Sequence, residues 1–117
     1  ISMPVSKVER EFVDHLVELM QSIGPVYSKS MFGGHGIFLD GLMFGLVASG
    51  TLYLKVDKET ELEFKAKGLE AFTYQKNGKA FSMSYYQAPE ETLEESEEMN
   101  IWANKAYGSA LKLKKKK

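Results

Sequence analysis

The chain has 117 residues, of which 44% are hydrophobic and 26% are charged, and it contains no cysteine. This length suits one domain with a packed core and excludes a disordered chain. The lack of cysteine excludes disulfides, thiolate nucleophiles and cysteine-ligated metal sites, and it fits a reducing compartment. Because no apolar run approaches the roughly 20 residues that cross a bilayer, we expect a cytoplasmic protein with no membrane partner.

The net charge of −1 is unevenly distributed along the chain. Without the lysine-rich tail, residues 112–117, there are 10 basic and 16 acidic side chains, a net charge of −6. A body of that sign repels nucleic-acid backbones. We therefore predict a single domain over residues 3–111, followed by a tail that is the dense basic feature of the sequence.

The first predicted element is a helix over about residues 7–22. Ser6 and Glu9 have the spacing of a capping box, and Gly24-Pro25 supplies a stop signal. Apolar residues follow the cap at helical steps of three and four: Val8, Phe12, Leu16, Leu19, Met20 and Ile23.

Short apolar runs separated by turn dipeptides fill residues 26–86. Asp40-Gly41, Ser49-Gly50 and Asn77-Gly78 suit the positive φ angles of two-residue hairpin turns, which predicts antiparallel strands. The run 42–48 is apolar on both alternating faces, which predicts a central strand covered at least partly on each side.

The run from Leu52 to Val56 has a different pattern, because apolar residues alternate with Tyr53 and Lys55. This alternation predicts one buried face and one wetter face. Asp57 is then expected to cap a short helix over about residues 58–67.

Leu62 and Phe64 are predicted to be the buried residues of this short helix, and Gly68 is predicted to end it. A second hairpin is predicted over residues 72–76 and 79–86. Its last residues, Tyr85 and Tyr86, point to opposite faces of their strand, so we expect at least one of them to lie outside the core and to be available to a partner.

The last predicted element is a helix that follows Pro89 and begins near Ser96. Its apolar stripe has helical spacing, with acids at its start and lysines at its end, as the helix dipole favours. The stripe comprises Met99, Trp102, Ala103, Ala106, Tyr107, Ala110, Leu111 and Leu113. The predicted fold is α+β, an antiparallel sheet of about five to six strands built from hairpins, with the N-terminal and C-terminal helices packed on it.

The segment Gly33-Gly34-His35-Gly36 invites a phosphate-binding interpretation, because consecutive glycines can turn backbone amides toward an anion. A phosphate loop needs a helix directly after it. Here another strand and hairpin follow, so we interpret the glycines as permitting a sharp bend or close packing between strands.

Catalytic and metal sites are not predicted. His15 and His35 are the only histidines, and zinc normally takes at least three protein side chains. We expect both to be surface or half-buried structural residues, and we assign no catalytic, metal-binding or cofactor-binding residue.

A partner-binding surface is the remaining class of site. Aromatic side chains are enriched in binding hot spots, and terminal lysines can contact anionic partners. The candidate surface comprises Gly33, Gly34, His35, Tyr53, Tyr86, Lys114 and Lys115.

Several segments together resemble the N-terminal domain of the TfoX (Sxy) family over nearly the whole chain. They are 31–38 (MFGGHGIF), 40–44 (DGLMF), 52–55 (LYLK), 72–74 (FTY), 83–86 (MSYY), Pro89-Glu90 and Trp102-Ala103.

The resemblance implies an α+β domain without an active site, found in bacterial regulators of natural competence that act with the cyclic-AMP receptor protein at certain promoters. We therefore expect a non-enzymatic regulatory domain whose partner is a protein of the transcription machinery or a regulator. The alternatives are direct nucleic-acid binding through the lysine-rich tail and small-ligand binding at the Gly33–Gly36 bend.

Overall fold

A computed structural model describes residues 7–31 and 33–115 of the chain. Its helices are α1 (Lys7–Leu19), α2 (Lys58–Ala66) and α3 (Ser96–Lys115), with short 3₁₀ helices at Gln21–Ile23 and Glu90–Leu93. Its strands are β1 (Tyr27–Met31), β2 (Gly34–Leu39), β3 (Leu42–Ala48), β4 (Thr51–Lys55), β5 (Ala71–Lys76) and β6 (Lys79–Gln87). The strands form one antiparallel sheet in the order β1-β2-β3-β4-β6-β5, which confirms the predicted α+β fold and strand number.

The three predicted hairpin turns are confirmed. Asp40, Ser49 and Asn77 all have φ angles between 50° and 52°, and the glycine that follows each one has a φ between 74° and 77°. Two consecutive positive φ angles match the right-handed twist of the flanking strands. Local turn chemistry therefore fixes the pairing of β2 with β3, β3 with β4, and β5 with β6.

The predicted helix boundaries agree with the structure better for α2 and α3 than for α1. Helix α3 begins at Ser96 as predicted, and α2 begins after its predicted cap, Asp57. Helix α1 ends at Leu19, three residues before the predicted end, because the chain tightens into a 3₁₀ turn before Gly24. The predicted cap at Ser6 lies outside the described residues.

All three helices lie on one side of the sheet, which we call the helix face. Cross-strand partners such as Ile37, Gly45 and Leu54 share this face. The helices cover it with side chains such as Leu16 and Phe64, both of which are fully buried. The predicted burial of Phe64 is therefore confirmed. Leu62 is 66% exposed and that prediction was wrong, because two residues along a helix turn a side chain well away from the buried side.

The helix-face core also corrects the predicted stripe of α3 at one position. Met99, Trp102, Ala103, Ala106 and Ala110 are buried as predicted. Leu111 is 38% exposed, since it lies one step around the helix from Ala110.

The opposite side of the sheet, which we call the open face, has no helix packed across its strands in the described part of the chain, although the end of α3 borders a cavity that Lys55 and Tyr85 also line. Leu46 and Tyr85 are buried on this side but do not belong to the core between sheet and helices. Leu46 of β3 is 9% exposed on this side, so the predicted partial cover of both faces of β3 is confirmed. Among the described residues, no helix is both long and apolar enough to cross a membrane.

Candidate functional site

The glycine-rich segment serves strand packing. Gly33 has a φ of 78° in the turn before β2, while Gly34 and Gly36 lie within the strand. A Cβ atom on Gly34 would lie 2.3 Å from the carbonyl oxygen of Val47 on β3. The segment continues as a strand and no helix N-terminus follows it, so the geometry of a phosphate loop is not formed.

His35 lies on the helix face of β2 and is only 1% exposed. The prediction of a surface or half-buried histidine was wrong here, because helix α1 covers this part of the sheet. The ring Nδ1 atom lies 4.0 Å from Glu9 Oε2, and neither ring nitrogen has a hydrogen-bond partner within residues 7–31 and 33–115. An imidazole enclosed in this way has no path to a substrate unless the fold opens.

His15 differs from His35, because it lies on the exposed side of α1. Its Nε2 atom is 2.9 Å from the carbonyl oxygen of Leu93, so it ties α1 to the segment before α3. The described residues contain no group of three histidine, aspartate or glutamate side chains placed to hold a metal ion.

Asp57 is the most extensively bonded carboxylate that the structure describes. It accepts hydrogen bonds from the backbone N–H groups of Glu59 and Thr60 and from the hydroxyl of Ser109 on α3. Lys112 Nζ lies 3.3 Å from its second oxygen. Although partial burial raises the pKa of Asp57, these bonds lower it to about 2. The sequence predicted the cap but not the link to α3, because Ser109 follows 52 residues later.

The two tyrosines of the candidate surface lie on opposite sides of the sheet. Tyr86 is on the helix face, 7% exposed, and its hydroxyl donates to Glu61 Oε2 at 2.8 Å. Burial and this bond raise its pKa. Tyr53 is on the open face, half-buried, in edge contact with Phe72 at a centroid distance of 5.0 Å. Tyr85 also faces the open side but is only 5% exposed.

Lys114 and Lys115 lie in the last turn of α3, which runs on as a helix past the predicted boundary at residues 111 and 112. Both are exposed. Lys114 borders a cavity of about 260 Å³ that is also lined by Lys55 and Tyr85. The seven candidate residues therefore occupy separate places in the fold, and their joint role as a surface stays a prediction.

A row of aromatic rings on the open face escaped the sequence analysis. Tyr27 on β1 stacks on Phe38 of β2, with ring centroids 5.6 Å apart and planes 13° from parallel. A second stack joins Phe72, Tyr74 and Phe81, at centroid distances of 6.4 and 5.7 Å. The signal was present in the alternation of β5 and β6, but only the register shows that the rings share one side.

Comparisons with known proteins place the chain in a family. A family model described as the TfoX N-terminal domain matches residues 18–110. The chain belongs to this family, as the resemblance implied.

Two relatives in the comparisons are longer proteins. The chain is 26% identical over 91 residues to the DNA transformation protein TfoX1 of Aliivibrio fischeri, which covers 77% of this chain and 44% of the relative. It is also 26% identical over 73 residues to Protein Sxy of Escherichia coli, covering 62% of this chain and 35% of that relative. The chain therefore spans less than half the length of the curated relatives it matches.

Proposed function

We propose that this domain is a non-catalytic regulatory module in the control of DNA transformation, and that it acts by binding a protein of the transcription machinery or a regulator. Membership in the TfoX N-terminal domain family and the name of the relative from Aliivibrio fischeri support this assignment.

The proposal depends on one observation: the titratable groups that could act in catalysis are bonded to other parts of the domain or are enclosed in its core. Asp57 is saturated by hydrogen bonds, Tyr86 donates to Glu61, and the ring of His35 is enclosed. Catalytic acids and bases need access to a substrate and a partner group in reach. Groups employed in this way stabilise the domain, which supports recognition over catalysis as its proposed role.

The helical side offers a surface with a definite charge. The His15 hydrogen bond to Leu93 brings α1 beside the segment that begins α3. Exposed carboxylates of both elements then share one region, which we call the acidic side: Glu11, Asp14, Glu18, Glu90, Glu94, Glu95 and Glu97. Such a surface steers basic partners toward the domain and suppresses binding to acidic ones.

The test is affinity capture from a lysate of a competent bacterium, with the immobilised domain compared against a variant carrying Glu90→Gln, Glu94→Gln, Glu95→Gln and Glu97→Gln. We expect a specific protein to be retained by the original domain and lost by the variant. A matched control, Glu59→Gln with Glu63→Gln on α2, should retain it. The proposal fails if nothing is captured above background, or if the captured protein ignores both sets of changes.

A further inference from the structure

Several aromatic rings on the open face are exposed to solvent. Tyr27, Tyr74 and Phe81 are 38%, 40% and 42% exposed, although each stacks on a neighbouring ring. Planar groups arriving from solvent can extend such stacks at their outer rings. Nucleobases are the planar groups that proteins most often bind in this way, and each stacked base contributes about 1–3 kcal/mol.

Lysines lie beside these rings. Lys29 Nζ is 5.1 Å from the ring centroid of Phe38, and Lys55 Nζ is 5.0 Å from that of Tyr85. Lys76 and Lys79 are cross-strand partners next to the Tyr74 and Phe81 pair. Each part of the aromatic row therefore has a cation within reach.

These strand lysines differ in their pairing from four lysines that lie outside the sheet. Lys65, Lys67, Lys105 and Lys112 each form an ion pair with a carboxylate. Lys29, Lys55, Lys76 and Lys79 have no carboxylate partner anywhere in the described ranges. Burial lowers the pKa of Lys55, whose ammonium group donates a hydrogen bond to the Ser84 hydroxyl at 2.7 Å.

Charge is separated between the sheet and the rest of the domain. The six strands contain these four lysines and no aspartate or glutamate, so all 16 acidic residues lie in helices and connecting segments. Of the net charge of −6 for residues 1–111, the strands contribute +4 and the helices and connecting segments −10, so the negative total does not describe the open face.

We propose that the open face binds single-stranded nucleic acid, with bases stacked on its aromatic rings and phosphates held by its unpaired lysines. Adjacent strands lie about 4.8 Å apart, so the row spans about 24 Å, enough for several nucleotides. The cavity shared by Lys55, Tyr85 and Lys114 extends the cationic path to the end of α3. This inference goes beyond the proposed protein partner and does not rest on it.

The test is fluorescence anisotropy of the full chain with labelled oligothymidylate and oligouridylate of fifteen nucleotides, and with a duplex of the same length. We expect binding to one or both single strands at low salt, weaker binding to the duplex, and a steep loss as salt is added. The tighter single strand identifies DNA or RNA as the natural source.

Two double variants test the two parts of the surface. Tyr74→Ser with Phe81→Ser should weaken binding at least about ten-fold, since both rings are exposed and their loss removes stacking. Lys76→Gln with Lys79→Gln should reduce the slope of log affinity against log salt by about 1.4, at about 0.7 for each phosphate contact. Lys58→Gln with Lys65→Gln on α2 is the matched control and should change neither quantity.

Four outcomes would overturn the inference. The first two are no binding to either single strand at low salt and equal or tighter binding to the duplex. The third is unchanged binding in the Tyr74 and Phe81 variant. The fourth is complete loss of binding on deletion of residues 114–117 while the strand variants have no effect. A second copy of the chain could occupy the open face instead, and sedimentation of the original protein and the same variants tests for this self-association. Self-association of the original protein that disappears with Tyr74→Ser and Phe81→Ser would assign the face to a dimer contact and contradict nucleic-acid binding.

Discussion

The two sides of the sheet use similar residues for different purposes. On the helix face, Phe64 is fully buried between Trp102 and Tyr86, at centroid distances of 5.1 and 6.0 Å. On the open face, Phe81 stacks on one tyrosine and remains 42% exposed. The same side chain type is thus a core residue on one side and a partly exposed ring on the other, because only one of the two is covered by helices.

The largest expected effect is the difference in stability between two variants that each replace one of these phenylalanines with alanine. Phe64→Ala should lower the free energy of unfolding by about 3–5 kcal/mol, because it removes buried apolar surface and leaves a cavity. Phe81→Ala should cost less than about 1 kcal/mol, since its ring is already partly hydrated. Urea unfolding of both variants measures the difference, and equal losses would show that the open face is covered in solution.

Asp57→Ala sharpens the comparison because it removes the cap of α2 and its link to α3 on the helix face. We expect a loss of about 2–3 kcal/mol, from the lost helix cap and from the buried Ser109 hydroxyl that loses its acceptor. Thermal or urea unfolding gives the value. Glu63→Ala, on the exposed side of α2, is the control and should cost well under 1 kcal/mol.

The same carboxylate predicts a pH dependence. Because the folded pKa of Asp57 is about 2, below its ordinary value of 3.8, its stabilising contribution is complete above about pH 5 and is lost as the pH falls through 4 toward 2. The difference in stability between the original protein and Asp57→Asn should therefore shrink across that window. A difference that stays constant from pH 6 to pH 2 would contradict the assigned bonds.

Gly34→Ala tests the close backbone contact between β2 and β3. The new methyl group would meet the Val47 carbonyl oxygen at 2.3 Å, and backbone on both sides leaves little room to yield. We expect a loss of about 2 kcal/mol by urea unfolding. Gly33→Ala has nothing within 4 Å and a φ of 78°, so it reports backbone strain alone, about 1 kcal/mol. A smaller loss at Gly34 than at Gly33 would refute the close approach.

His35→Leu has the smallest expected effect. Replacing an enclosed imidazole, whose nitrogens lack hydrogen-bond partners among the described residues, with an apolar side chain of similar size should change stability by less than about 1 kcal/mol. His35→Ala leaves a cavity and should cost about 2 kcal/mol or more. If leucine proves as harmful as alanine, the ring nitrogens contribute bonds that a purely steric role does not require.

Local patterns predicted most of the fold. Paired turn residues such as Asn77-Gly78, the cap at Asp57 and the stripe containing Trp102 each act over a few neighbours, so sequence alone reveals them. The exposure of Leu62 and the enclosure of His35 depend on which helix lies above them, and no short window contains that information. The aromatic row was missed for the same reason, since only the register of the strands places Tyr27, Tyr53 and Phe81 on one side of the sheet.

The attachment of β5 and β6 has a consequence for local opening. In the described part of the chain, β6 pairs with β4 near the base of this hairpin, through Tyr53 with Gln87, Leu54 with Tyr86 and Lys55 with Tyr85. Backbone hydrogen bonds from Val56 to Ser84 and from Ala88 to Leu52 flank these pairs. Beyond them, residues 73–84 are exposed on both sides. Amide hydrogens at the tip of the hairpin should therefore exchange with solvent long before those of β3, and the arm that carries Tyr74 and Phe81 can adjust its angle without unfolding the core.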